Sequence, residues 1–193
     1  MMSADRDRTS NAGKPGILLH VCCAPCATYV VEALRPSFGV TGYFYNPNVH
    51  PESEYILRKE EAERFTSRAA FPFHTGEYDV ERWFDLVKGH EDDPEGGERC
   101  AICYRMRLEE AARFAGVHGF ECFATTLSVS PHKSAAIINR IGRELGARYG
   151  IEFYEADFKK RDGFKISCRI SRELGLYRQS YCGCVFSVNR AEE

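Results

Sequence analysis

The stretch from Pro15 to Tyr45 limits the fold more than any other. An apolar run, Ile17–Val21, follows Pro15-Gly16 and reads as a strand buried on both faces. Pro25 opens a helix expected to reach about Leu34, because the fixed φ of proline suits a first helical turn. The β-rich segment Val40–Tyr45 follows Gly39 and supplies a second strand. A strand, a helix and a strand at this spacing form a crossover rather than a hairpin, so the two strands are predicted to run parallel.

The rest of the chain continues the alternation. Glu52–Ala69 is charged and helical in period, with Tyr55, Ile56, Lys59 and Ala62 spaced by three and four. Phe71–Thr75 is a candidate third strand, Val80–Lys88 a short helix and Glu91–Glu98 a loop. Arg99–Ala115 reads as a helix ended by Gly116, and Phe120–Thr125 as a strand. A polar loop then leads into a helix from about Pro131 to Tyr149. Phe153–Ala156 is a short strand, and Ser167–Leu174 a last helix stopped by Gly175. The expected class is α/β, a mostly parallel sheet with helices on both sides. No repeat or linker is visible, so residues 15–193 are expected to form a single catalytic domain after a disordered tail over residues 1–14.

That tail has no apolar core and does not read as a secretory leader. No segment approaches the ~18 apolar residues of a membrane span. A cytoplasmic protein without a membrane partner is therefore expected, in a compartment that keeps thiols reduced. There, nine cysteines point to metal or redox chemistry more than to structural disulfides.

Ligands of such sheets sit at the carboxyl ends of the strands. Cys22-Cys23-Ala24-Pro25-Cys26 lies at the end of the first strand, Tyr45-Asn46-Pro47-Asn48 at the end of the second, and Thr125-Thr126 at the end of a later one. Cys100-x-x-Cys103 follows a Gly-Gly turn and opens a helix, whose N-terminus favours thiolate charge. Cys182-Gly183-Cys184 has a one-residue spacer, and a disulfide across so small a loop is strained and easily reduced, which suits a redox pair. Cys122 and Cys168 have no partner in sequence and read as small buried hydrophobes.

Three uses of these thiols remain open on spacing alone. Zinc held by Cys23, Cys26, Cys100 and Cys103 leaves Cys22, Cys182 and Cys184 without a task. A thioredoxin-type dithiol at Cys23 and Cys26 leaves five motif cysteines idle. Four thiolates on an iron–sulfur cluster plus a dithiol use six of the seven, without settling which is spare.

Charge gives a local signal only. The chain carries a formal -2, but Asp157–Arg178 holds seven Lys or Arg against three Asp or Glu. Such a run is usually a solvated surface and, beside a nucleic-acid site, a phosphate-contacting patch.

Together these blocks resemble one family, the epoxyqueuosine reductases of the QueH type. The likeness is carried by LLHVCCAPC (Leu18–Cys26), YFYNPNVHP (Tyr43–Pro51) with Glu54-Tyr55 and Arg58, PEGGERCAIC (Pro94–Cys103) with Arg107-Leu108, TTLSVSPHKS (Thr125–Ser134), DFKKRDGFKIS (Asp157–Ser167) and YRQSYCGCVFS (Tyr177–Ser187). The resemblance implies reductive opening of the epoxide of epoxyqueuosine in a tRNA anticodon loop, giving queuosine. It implies a HUP-like sheet, related to nucleotide-binding α-hydrolases, in which CCAPC stands where a glycine-rich phosphate loop would lie. By match to the family's motifs, Cys22, Cys23, Cys100 and Cys103 hold a [4Fe–4S] cluster, and Cys182 and Cys184 form the redox-active pair. It also allows an additional iron beside the cluster, with no ligands assigned.

Further expectations follow from that likeness. Cys22 and Cys23 diverge in an extended chain, but a turn after the strand can swing both inward on a cubane, leaving Cys26 as the spare. Tyr45 and Asn46 are candidate substrate contacts, and Lys159, Lys160 and Lys165, with Arg169, candidate contacts to loop phosphates. Asp79, Tyr45, His132 and Asp157 are candidate proton donors. No G-x-G-x-x-G follows a strand, so electrons are expected from an external donor such as a small redox protein. Two rivals compete with this reading, a protein disulfide reductase using Cys23 and Cys26 and a non-catalytic RNA-binding module with structural zinc.

Overall fold

A computed structural model describes residues 13–188. The expected tail over residues 1–14 therefore lies outside the described residues, except Gly13 and Lys14, and Lys14 Nζ donates to the Arg35 carbonyl at 2.6 Å.

The sheet has five strands, β1 (Gly16–His20), β2 (Gly39–Phe44), β3 (Phe73–Thr75), β4 (Cys122–Thr125) and β5 (Glu152–Phe153), in the order β3-β2-β1-β4-β5. Every pairing is parallel. This is the order of a doubly wound sheet, and it matches the expected α/β class, a parallel sheet with flanking helices. β1 is central and pairs with β2 on one side and β4 on the other, so the strand order reverses beside it. Its side chains alternate between two cores. Ile17 and Leu19 enter one with Val21, while Leu18 enters the other.

The helices divide the same way. α1 (Ala24–Leu34), α2 (Glu52–Arg68) and α6 (Gly163–Glu173) lie on one side, with α1 packed against both others. α3 (Val80–Val87), α4 (Glu98–Val117) and α5 (Ala135–Tyr149) lie on the other, with α4 between its neighbours. The short α7 (Val185–Val188) follows the last cysteine pair. Leu18 and Leu108 are fully buried in the second core, and truncating either to alanine is worth about 2–5 kcal/mol.

Several boundaries differ from the sequence reading. α4 runs past Gly116 to Val117. α5 begins at Ala135 rather than near Pro131, because Ser134 is its cap and accepts from the Ile137 amide at 3.3 Å. It ends where Gly150 adopts φ 66°, as placed from sequence. A 3-10 turn, Thr126–Val129, fills the start of the polar loop after β4. The last long helix starts four residues early, at Gly163. The stripe expected on α2 also shifts. Ile56 is exposed, whereas Arg58 and Glu61 are buried with Tyr55, Ala62 and Phe65.

Among the described residues no helix is long and apolar enough to cross a membrane.

Candidate active site

The carboxyl ends of β1 and β4 meet at the reversal of strand order, where the chain turns out of the sheet. Pro25 in the first turn starts α1 at once, so Cys22, Cys23 and Cys26 wrap around one corner. Their sulfurs all lie within 4.8 Å of one another, and Cys22 and Cys23 share a hydrogen bond at 3.8 Å. The neighbouring β4 ends in Thr125-Thr126, which supports this corner. Thr126 Oγ1 accepts from the Cys22 amide at 3.0 Å and donates to Cys22 Sγ at 3.2 Å. Gln179 Nε2 donates to Cys23 Sγ at 3.2 Å.

Beneath the corner lies a neutral histidine. His20 Nε2 faces the Tyr45 carbonyl at 3.2 Å, so it carries the proton, and Nδ1 accepts from Thr125 Oγ1 at 2.9 Å. Burial, with the charge of Arg107 behind it, pulls the His20 pKa down to about 3.

Arg107 comes from the buried stripe of α4 and is 3% exposed. It donates to Asn46 Oδ1, while Asn46 Nδ2 donates to the Val21 carbonyl at 3.0 Å. The strand-end asparagine thus ties α4 to the cysteine corner. Among the described residues Arg107 has no carboxylate partner. Burial alone would lower its pKa, but the thiols Cys103, Cys22 and Cys182 outweigh that burial and hold it above the ordinary guanidinium range. Lys133 faces Cys182, Cys22 and Cys26 in the same way. Two cations confronting thiols favour thiolate. Within the triad, Cys22 is held well below the ordinary thiol range by hydrogen bonds from Cys23 and Cys26. Cys23 rises to about 11 and Cys26 well above the usual range, because both keep their protons toward Cys22. Burial pushes Cys100 and Cys103 up, and Cys184 up to about 12.

A cavity of about 370 Å³ opens over the corner. Cys22, Cys26, Cys168 and Cys182 reach its wall with Arg107, Lys133 and Arg178, while Phe164 and Ser167 of α6 close one side. Cys168 is therefore placed at the cavity, where sequence alone offered it no partner. Cys100 and Cys103, on the first two turns of α4, stand apart from the 4.8 Å triad, but both interact electrostatically with Cys182. Cys184 faces Cys103 and Cys182.

The other expected residues are placed as follows. Asn46 is in the buried network. Tyr45 is buried in the second core with Tyr43 and Trp83, away from the cavity wall. Lys159 donates to the Lys133 carbonyl at 3.0 Å and pairs with Asp157 at 3.2 Å. Lys160 lies in the turn before α6, and Lys165 on its first turn, paired with Asp162 at 2.9 Å. Of the acid candidates, His132 lines the cavity, and Asp79 caps α3 by accepting from the Arg82 amide at 3.2 Å. Arg58, Arg107 and Lys133 had no role assigned from sequence. A readable signal existed for two of them, because Arg58 and Arg107 interrupt apolar stripes.

The donor set fits a polythiolate group. Thiols from three chain segments surround one basin, and its cations, the buried Arg107 and the half-buried Lys133, lack carboxylate partners among the described residues. The ligands of a cubane bind different irons and stand further apart than those of one ion, so the compact triad does not by itself define a cluster's ligand set.

A doubly wound sheet with a thiol-rich basin at its switch point defines an α/β protein with a candidate thiol or metal site. Residues 17–190 match the family model described as epoxyqueuosine reductase QueH. The epoxyqueuosine reductase QueH of Histophilus somni is 42% identical over 178 residues, covering 91% of this chain and 73% of that protein. The protein of that description from Thermotoga maritima is 38% identical over 180 residues, covering 92% of each chain. The chain belongs to the epoxyqueuosine reductase QueH family. Among solved structures, a U34-tRNA thiolase from Methanococcus maripaludis with its [4Fe–4S] cluster is 12% identical, with a TM-score of 0.49 over 93% of this chain and 64% of that one. At that distance it does not inform the site.

Proposed function

We propose that this protein reduces epoxyqueuosine in a tRNA anticodon loop to queuosine, as one α/β catalytic unit built around a [4Fe–4S] cluster and a cysteine pair. The observation that carries the reading is the thiol basin, in which three sulfurs lie within 4.8 Å at the switch point of the sheet, beside a cavity that Cys182 also lines. Cys22, Cys23, Cys100 and Cys103 would hold the cluster, and Cys26 would remain on the cavity wall. Such a cluster supplies one-electron chemistry and a Lewis-acidic iron when bound.

The chain's own residues do the rest. Arg107 and Lys133 offset negative charge in the basin. Removing the epoxide oxygen as water, to leave an alkene, takes two electrons and two protons. Closing a disulfide between Cys182 and Cys184 releases two electrons and two protons, so the step balances. The dithiol of an external redox protein would restore the pair by exchange.

The anticodon loop would splay one base into the cavity, past the α6 wall of Phe164 and Ser167. Lys160 and Lys165, at the amino end of that helix, would meet loop phosphates, with Arg169 one turn further along. Tyr45 and Asn46 would shape the strand end from below.

The test is conversion of epoxyqueuosine-tRNA by anaerobically prepared protein with a chemical reductant. Product from the wild type, and loss of multiple turnover in C182S and C184S, supports the assignment. Unchanged multiple turnover in both variants contradicts the role of the pair.

A further inference from the structure

One face of α2 reads the backbone of the last cysteine pair. Glu54, Arg58 and Glu61 recur at intervals of four and three and so share that face. Glu61 Oε1 accepts from the Tyr177 amide at 2.8 Å, and Glu54 Oε2 accepts from the Tyr177 hydroxyl at 2.9 Å. Arg58, 3% exposed, donates from Nη2 to the Tyr181 carbonyl at 3.2 Å and from Nη1 to the Cys182 carbonyl at 2.9 Å. The His50 amide donates to the Gly183 carbonyl at 2.8 Å. Three successive carbonyls, those of residues 181, 182 and 183, are therefore fixed from outside the loop.

The guanidinium is itself held in place. Its Nε donates to Glu54 Oε1 at 2.7 Å, and its carbon lies 5.2 Å from the centre of the Tyr181 ring. The Tyr181 hydroxyl donates to the His50 carbonyl. Gly183 completes the fit. Its φ is +106°, and a Cβ there would lie 2.8 Å from Arg58 Nη1 and 3.0 Å from Val49 Cγ2.

We propose that Arg58 is a positioning residue for the Cys182/Cys184 pair. By gripping the carbonyls on both sides of the Cys182 α-carbon, it keeps Cys182 at the cavity and fixes the backbone across which the two sulfurs must close. The dithiol–disulfide equilibrium depends on how well a backbone suits both forms, so this grip sets the reduction potential of the pair. The proposal rests on the reading of Cys182 and Cys184 as redox partners. The step is the one given above: an S–S bond forms, two electrons and two protons pass to the epoxide, and an external dithiol reduces the disulfide.

The experiment compares wild type, R58K and the double variant E54Q/R58M as anaerobic cluster-loaded proteins. R58K keeps the charge but loses the planar fork, and the double variant removes both members of the buried ion pair. Each is equilibrated in dithiothreitol redox buffers, and the Cys182–Cys184 disulfide is quantified by alkylation and mass spectrometry. Steady-state kinetics on epoxyqueuosine-tRNA are measured in parallel. We expect the equilibrium constant of the pair to change about tenfold in at least one folded variant, a shift of about 30 mV for a two-electron couple. We expect kcat to fall about tenfold or more, with KM for tRNA within about twofold. A wild-type potential and kcat in every variant that folds would overturn the proposal. A wild-type protein that turns over tRNA yet forms no Cys182–Cys184 disulfide in any buffer would instead refute the redox pair itself, and the proposal with it.

Discussion

Thr126 holds Cys22 at two points, accepting from its amide at 3.0 Å and donating to its sulfur at 3.2 Å. One hydroxyl at the end of β4 thereby fixes both the backbone and the sulfur of a residue at the end of β1. Groups in this position orient metal-binding thiolates, and losing them typically costs 10- to 100-fold in affinity or activity. T126V keeps the shape and removes both bonds, whereas T126S keeps them. Iron content after anaerobic purification and kcat should remain near wild type in T126S and fall about tenfold or more in T126V. Equal values for T126V and wild type would show that the hydroxyl is incidental.

Arg107 and Asn46 make a second linkage, between α4 and the end of β2. R107M leaves Asn46 Oδ1 buried without its donor, and a hydrogen bond to a charged group is worth about 1.5–3 kcal/mol. Urea unfolding of the cluster-free protein should show a loss of about that size. N46L/R107M removes both partners and should recover part of it. A double variant as unstable as the sum of the single changes would mean that the two side chains do not depend on one another.

The lysines near α6 divide into two groups. Lys165 is 82% exposed and paired with an exposed Asp162, a contact worth little that a phosphate can replace. Lys159 instead braces the Lys133 carbonyl. K160A/K165A should therefore weaken tRNA binding and flatten its salt dependence by about 1.4 in the log–log slope, at roughly 0.7 per phosphate contact in a single-stranded loop. K159A should lower kcat more than it raises KM. Filter binding from 50 to 200 mM salt checks the slope, and an unchanged slope would remove Lys160 and Lys165 from the interface.

How far these relations could be read from sequence depends on where each residue's partner lies. β1, α1 and β2 were legible because an apolar run, a proline and a second run act locally. The site's position followed from the strand-end rule, and the six motif blocks pointed to the family. Arg58 and Arg107 were harder. Charges on a helix read as a solvent face unless something tells otherwise, and their partners lie 124 and 61 residues away, at Cys182 and Asn46. The available clue was positional, since Arg58 shares a stripe with Tyr55, Ala62 and Phe65, and Arg107 with Tyr104, Leu108 and Ala111. Cys168 could be placed only once α6 was packed on α1, because nothing near it in sequence marks the cavity. The early start of α6 was hidden by Asp162, which adopts φ 60°, a conformation unusual for a residue other than glycine.

The central claim is that the thiol basin holds an iron–sulfur cluster. Anaerobic purification followed by iron, sulfide and zinc analysis tests it most directly. The account predicts a brown, oxygen-sensitive protein with about four irons and four sulfides per chain, as one cubane requires. The iron should be lost in C22S, C23S, C100S and C103S and retained in C26S. A colourless anaerobic preparation containing only zinc would contradict it.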